Sequence, residues 1–315
     1  MVPRGQGRGR TPPSVGGDRV KASGLVSQLT RRSRSNFYYA FLTLPRPRRD
    51  ALYAVYAFCR TVDDIADLGQ ERGVDVATLR GELASWREEI ARCYAPGGRP
   101  EHPIAQRLAV AVRTYPIPQE TLRAIVDGVV MDLDGTVYET EDQLYPYCYR
   151  VASAVGLAAI EIFGYTDPGA RRYATNLGIA LQLTNIIRDV GSDARAGRVY
   201  VPREDLRTFG VTPDDLSTGR YTDAFVALMA HQAARARRFY REAREAFPRS
   251  DARSLIPAEI MGQIYWALLG RIEALRYRVL DERVTVSAGR KVAIALRCWT
   301  AARLGTVAAW RGMAA

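Results

Sequence analysis

From about residue 36 onward, apolar residues return every three or four positions, the period of a helix with one buried face. The pattern is clearest in "RDALYAVYAFCRTVDDIAD", "VATLRGELASWREEIARCY", "ETLRAIVDGVVMDL", "LYPYCYRVASAVGLAAIEIFGY", "RRYATNLGIALQLTNIIRDV" and "DAFVALMAHQAARARRFYREAREAF". Two-residue alternation, the mark of strands, is nearly absent. Proline and glycine fall between the runs, at "APGGRPEHP", "YPIP", "TDPGA" and "FGVTPDD", where helix connections belong. The pattern predicts an all-α fold of about ten helices in a single domain over 33–300. A flexible basic tail is expected over 1–32 and a short tail over 301–315.

Two runs, "YRVASAVGLAAIEIFGY" and "LGIALQLTNII", are apolar around most of their circumference, so they belong inside a bundle or a membrane. Ala152, Ser153, Ala154, Gly156, Ala158 and Ala159 leave volume beside the backbone. That volume serves either close helix packing or one wall of a long apolar cavity.

Composition then separates bundle from membrane. Of 315 residues, 47% are hydrophobic and 25% charged, enough for a large core and too apolar for disorder. Charged residues interrupt every apolar run before the length of about 20 that a membrane span needs. A soluble or peripheral, cytoplasmic protein is expected. The 4 cysteines are scattered and form no CxxC pair, as suits reduced, buried thiols. The net charge of +11 owes much to an Arg-, Gly- and Pro-rich start that lacks the apolar stretch of a secretory signal. Such a tail binds RNA or an anionic membrane face, or only aids solubility.

Candidate chemistry begins with the acids of "TVDDIAD". On a helix Asp63 and Asp67 share a face about 6 Å apart along the axis, while Asp64 points about 100° away. Paired acids at that spacing are common on solvated faces. A second set, Asn185, Asp189 and Asp193, repeats the one-turn spacing on an intensely apolar helix. Oxygen ligands without His or Cys select a hard cation, Mg²⁺ with Mn²⁺ as the alternative, which completes its shell with water and substrate phosphate. Arg60, Arg188, Arg195 and Arg198 lie beside the acids. Their guanidinium forks suit a diphosphate, or simply pair with the aspartates.

The motifs "FYYAFLTLP", "YAVYAFCRTVDDIAD", "YCYRVASAVG", "GIALQLTNIIRDV" and "GRVYVP", in this order, resemble the squalene and phytoene synthase family of head-to-head prenyl diphosphate condensing enzymes. The resemblance implies an isoprenoid synthase bundle around a central cavity. It places Asp63 and Asp67 on the first aspartate-rich motif, Asp189 and Asp193 on the second, and Asn185 as a further Mg²⁺ ligand. It places Arg60, Arg188 and Arg198 on diphosphate contacts, Tyr56, Gln182 and Tyr200 on polar lining positions, and Tyr147 near the carbocation. Tyr265, Arg283 and Lys291 fall near the bound diphosphates. Asp132 matches a family acid whose role here is open between a cap, a buried pair and catalysis. The chain departs from the pattern at Ser192, where an acid is usual, and at "RSRSN" before "FYYAF".

The implied reaction is a Mg²⁺-dependent condensation of two prenyl diphosphates. Two farnesyl chains would give presqualene diphosphate, and two geranylgeranyl chains phytoene. The stretches "YRVASAVGLAAIEIFGY" and "ALLGRIEALRYRVLDERVTVSAGRKV" resemble the bacterial presqualene diphosphate synthases more than the carotenoid enzymes. NADPH is not expected, because no glycine-rich dinucleotide motif follows a strand. No hydrophobic C-terminal anchor is expected, and transient contact with a membrane surface is, since the product is a lipid. No nucleic-acid partner is expected, as no basic and aromatic groove-reading motif occurs. The competing class is a non-catalytic helical assembly or RNA-binding protein, and the oligomeric state is left open.

Overall fold

The structure is a computed structural model describing residues 40, 41 and 43–306. The expected basic tail over 1–32, the start of "FYYAFLTLP" and the last nine residues lie outside the described residues. No strand occurs among the described residues.

The helices, in chain order, are α1 Arg46–Glu71, α2 Val76–Tyr94, α3 Pro103–Thr114 and α4 Gln119–Leu133. There follow α5 Glu141–Cys148, α6 Ala154–Phe163, α7 Gly169–Arg195, α8 Arg203–Phe209 and α9 Pro213–Ser217. The chain closes with α10 Asp223–Glu245, α11 Ile256–Ala274 and α12 Ala288–Arg303. The last helix runs three residues past the boundary expected at 300.

Local chemistry explains the ends. Asp75, Thr222 and Ser287 cap α2, α10 and α12 by accepting a backbone N–H three residues ahead. Thr212 and Asp215 form a capping box at α9. Gly164 ends α6 at φ 77°, a conformation that costs glycine little and other residues more. All four Pro and Gly connections read from the sequence separate helices.

One run folds differently from its pattern. "LYPYCYRVASAVGLAAIEIFGY" is split into α5, a π-turn over Tyr149–Ser153, and α6. Pro146 inside α5 has no N–H to give the ladder. The wider turn brings Ser153 against α7, where its hydroxyl donates to the Thr175 carbonyl at 2.7 Å. Gly178 makes that approach possible, since a Cβ there would lie 2.4 Å from Ser153 Cα.

The long α7 is the axis of the bundle. It packs against α6, the π-turn, α10 and α11, while α1 packs against α3, α4 and α6. Buried Glu259 on α11 accepts from Tyr173 of α7 at 2.9 Å and Arg244 of α10 at 3.0 Å, so three helices meet on one carboxylate. All four cysteines are free and buried.

Candidate active site

Inside this frame α1, α4, α6, α7 and α11 surround a cavity of about 580 Å³. That lies within the range of about 300–1,000 Å³ usual for small-molecule sites. The small-residue stretch divides its work between the two readings. Ala152, Gly156 and Ala159, spaced three or four apart, line the cavity, whereas Ser153, Ala154 and Ala158 are buried in the packing behind. Val129, Val151, Val155, Leu177, Leu181 and Met261 make the rest of the wall apolar.

The polar groups gather along one part of that wall. The helical period turns Asp63 and Asp67 of α1 and Asn185, Asp189 and Asp193 of α7 into the same cavity. Tyr56, Arg60, Tyr147, Gln182, Arg188, Arg198, Tyr200 and Tyr265 line it too. Asp64 does not. Arg283 meets Asp189 with Nε to Oδ1 at 3.2 Å, while Lys291 lies on α12 away from the lining. Burial lowers the affinity of Lys291 for its proton.

The arginines are not uniformly poised for a ligand. Arg198 bonds Asp67 at 2.9 Å, Arg188 forms a two-pronged pair with Asp189, and Arg60 bonds Asp64, one turn on, at 2.7 Å. All three arginines line the cavity, and each is paired with an aspartate. Arg195 departs from the set, donating to the Leu280 carbonyl at 2.9 Å. Ser192, standing where an acid is usual, donates back to the Asp189 carbonyl at 2.8 Å and adds no charge.

Asp63 and Asp193 have no ion-pair partner among the described residues, and both are pushed up to about 7. Desolvation is the main cause for each, with the neighbouring Asp67 and Asp189 next and Arg60 and Arg198 opposing. On both sides of the cavity, then, a carboxyl lacks the cation that would hold its charge and binds a proton more readily than a free acid does. The buried Oδ1 of Asn185, on the α7 face with Asp189 and Asp193, has no hydrogen-bond partner among the described residues. A buried carbonyl without a donor is costly, so these atoms fit a cation.

Among the described residues no three acidic, His or Cys side chains stand close enough to hold a metal by themselves. That suits Mg²⁺, which takes one or two carboxylates and fills its shell with water and phosphate.

Asp132, whose role the sequence left open, sits at the centre. Its Oδ1 accepts from Tyr200 at 2.7 Å and its Oδ2 from Tyr147 at 3.2 Å. The two rings stack 5.1 Å apart, with Tyr138 5.7 Å from Tyr147. Desolvation pushes Asp132 up to about 6 against the pull of these two hydroxyls. Tyr147 itself is raised well above the usual phenol range, by burial first and Asp132 second, so it holds its proton as a donor. Glu161 is spent elsewhere, accepting from Tyr165 at 3.0 Å and Arg171 at 2.8 Å.

Residues 30–290 match the family model described as squalene/phytoene synthase. The chain is 36% identical over 279 residues to 15-cis-phytoene synthase of Synechococcus elongatus, covering 84% of this chain and 88% of that protein. It is 37% identical over 264 residues to presqualene diphosphate synthase of Rhodopseudomonas palustris, covering 84% and 92%. Among solved structures it is similar to a dehydrosqualene synthase at 29% identity and TM-score 0.77, covering 91% of this chain and 98% of that one. It is also similar to squalene synthase HpnC of Alicyclobacillus acidocaldarius at 31% identity and TM-score 0.71, covering 82% and 96%.

Proposed function

The chain belongs to the squalene/phytoene synthase family of head-to-head prenyl diphosphate synthases, and from that premise we propose that it joins two farnesyl diphosphates to give presqualene diphosphate. As a prenyltransferase of this type it excludes the non-catalytic reading of its sequence. The observation that carries the proposal is one cavity with acids and arginines on part of its wall and hydrocarbon on the rest, which matches a diphosphate head on a prenyl chain.

The family is known to use a divalent metal for diphosphate binding. In our reading Asp63, Asp67, Asn185, Asp189 and Asp193 would hold Mg²⁺. Bound there, it would neutralise charge on the departing diphosphate. Arg188, Arg198 and Arg283 exchange their carboxylate partners for phosphate oxygens, which accept the same two-pronged geometry. Arg60 and Tyr265 flank the same head group, and Tyr56 and Gln182 orient it.

When the donor's C–O bond breaks, diphosphate leaves with the electron pair and an allylic cation remains. The double bond of the acceptor chain attacks it, and loss of a proton closes the cyclopropane. The valine, leucine and methionine wall excludes the water that would quench the cation. Tyr147, stacked on Tyr200 and fixed by Asp132, offers a ring face and a held hydroxyl beside that charge. Lys291, off the lining, is assigned only the outer approach to the head groups.

A second reading, phytoene from two geranylgeranyl chains, is favoured by the phytoene synthase of S. elongatus, which is about as similar as the presqualene enzyme. Our preference rests on the resemblance of the π-turn region and the segment leading into α12 to presqualene enzymes. Supplying each diphosphate separately without NADPH and identifying the product by mass tests it. Presqualene diphosphate from the farnesyl substrate supports the proposal; phytoene, made from the geranylgeranyl substrate alone, overturns it. A lipid product also implies transient contact with a membrane face.

A further inference from the structure

Among the described residues, nine large apolar side chains are exposed, and five of them stand scattered on other elements. The other four, Val292 at 42%, Leu296 at 59%, Trp299 at 41% and Leu304 at 79% exposed, fall on α12 and its C-cap. At about 100° per residue, Val292, Leu296 and Trp299 lie within about 60° of one another around the helix. The opposite face, Ile294, Cys298 and Ala302, is buried against the bundle. So α12 uses one apolar stripe for packing and shows a second one to solvent.

Its charge is one-sided. No acidic residue follows Glu282, while Arg283, Arg290, Lys291, Arg297, Arg303 and Arg311 do. Exposed Arg303 lies over the Trp299 ring at 4.7 Å, and exposed Arg290 opens the helix. An exposed apolar stripe edged by basic residues is the make-up of a helix that lies in the plane of an anionic lipid surface.

We propose that the outward face of α12 docks on an anionic lipid bilayer, sinking Leu296 and Trp299 below head groups that meet Arg303, one turn beyond Trp299 on the same face. This deepens the membrane contact of the proposed function by naming the surface. Charge favours lipid over the other occupants. A second copy would oppose two acid-free basic helices. Residues 1–39 of this chain carry eight basic residues and one acid, so they too are like-charged. The placement fits the traffic of the cavity: Arg283, which bonds Asp189 at the rim, lies four residues before the α12 cap Ser287.

Co-sedimentation of the full chain with phosphatidylcholine vesicles, with and without added phosphatidylglycerol, tests this apart from catalysis. The parent should bind the anionic vesicles at least about tenfold better. Leu296→Glu with Trp299→Glu should reduce that binding about tenfold or more. Arg303→Gln should reduce it about fivefold. All three residues lie outside the cavity lining, so circular dichroism and turnover on detergent-dispersed substrate should stay at parent level. Parent-like vesicle binding by both variants would assign the contact to another segment and overturn the proposal. So would a parent that ignores anionic vesicles, or a dimer that the apolar variant converts to monomer. None of these outcomes touches the condensation reading, which turnover measures separately.

Discussion

Arg198, just beyond α7, donates from Nη1 to Asp67 Oδ1 of α1 at 2.9 Å, joining the two acid-bearing elements across 131 positions of sequence. Burial would lower the affinity of this guanidinium for its proton, but Asp67 and Tyr200 more than offset that and hold it charged. Arg198→Lys keeps the charge and loses the fork. Asp67 is 42% exposed, so stability should change by less than about 1 kcal/mol. Steady-state kinetics should show kcat/KM falling about 100-fold, with Arg198→Ala lower still.

Asp132 provides a pH signature. Its carboxyl is pushed up to about 6, above the unfolded value near 4, so the folded chain binds the extra proton between those pH values. Its contribution to stability is therefore fully present below about pH 4 and is lost as pH rises through about 6. Thermal melts of parent and Asp132→Asn should diverge over that window, the parent losing up to about 3 kcal/mol relative to the variant. Equal pH dependence would mean that Asp132 ionises in the folded chain as it does unfolded. The variant should also turn over at least about tenfold more slowly, because its amide puts an NH2 donor in place of one of the two oxygens that accept from Tyr200 and Tyr147.

At Asn185 an unpaired buried carbonyl separates binding from folding. Asn185→Ala should leave the melting temperature of the metal-free protein unchanged or slightly raised, since it removes an unsatisfied group. The Mg²⁺ concentration for half-maximal turnover should rise about tenfold or more. A large loss of metal-free stability would instead make Asn185 a packing residue.

Gly178 tests the contact behind the cavity wall. A methyl there would stand 2.4 Å from Ser153 Cα and 2.6 Å from its nitrogen, backbone atoms that cannot swing aside. Gly178→Ala should cost about 1–3 kcal/mol in a denaturant titration. Gly81→Ala, on α2 with nothing within 4 Å, is the control and should be neutral or slightly stabilising.

What was legible in the sequence follows from distance along the chain. Asp63 with Asp67, and Asn185 with Asp189 and Asp193, could be placed on common faces because one helical turn fixes their relation. The helices were legible for the same reason, as were their Gly and Pro ends. Relations across the bundle were not. Nothing in "VVMDL" foretells that Asp132 receives Tyr147 and Tyr200, which come from positions 15 and 68 residues later. Which acid Arg60 takes is also settled only by the fold: it pairs with Asp64, one turn on and off the cavity lining. The π-turn was hidden because Tyr149–Ser153 keeps an unbroken apolar pattern, and only the fit of Ser153 to Gly178 reveals why the helix widens there.

If two carboxylate faces activate a prenyl diphosphate within this cavity, both the metal and Asp63 are required for turnover. The direct test is pyrophosphate release by the purified chain from farnesyl or geranylgeranyl diphosphate, with Mg²⁺ or with excess chelator, alongside Asp63→Ala. Release from at least one substrate is expected with Mg²⁺, none with chelator, and a loss of at least about 1,000-fold in Asp63→Ala. Release that persists in Asp63→Ala, or none from either substrate with a well-folded parent, would contradict such activation.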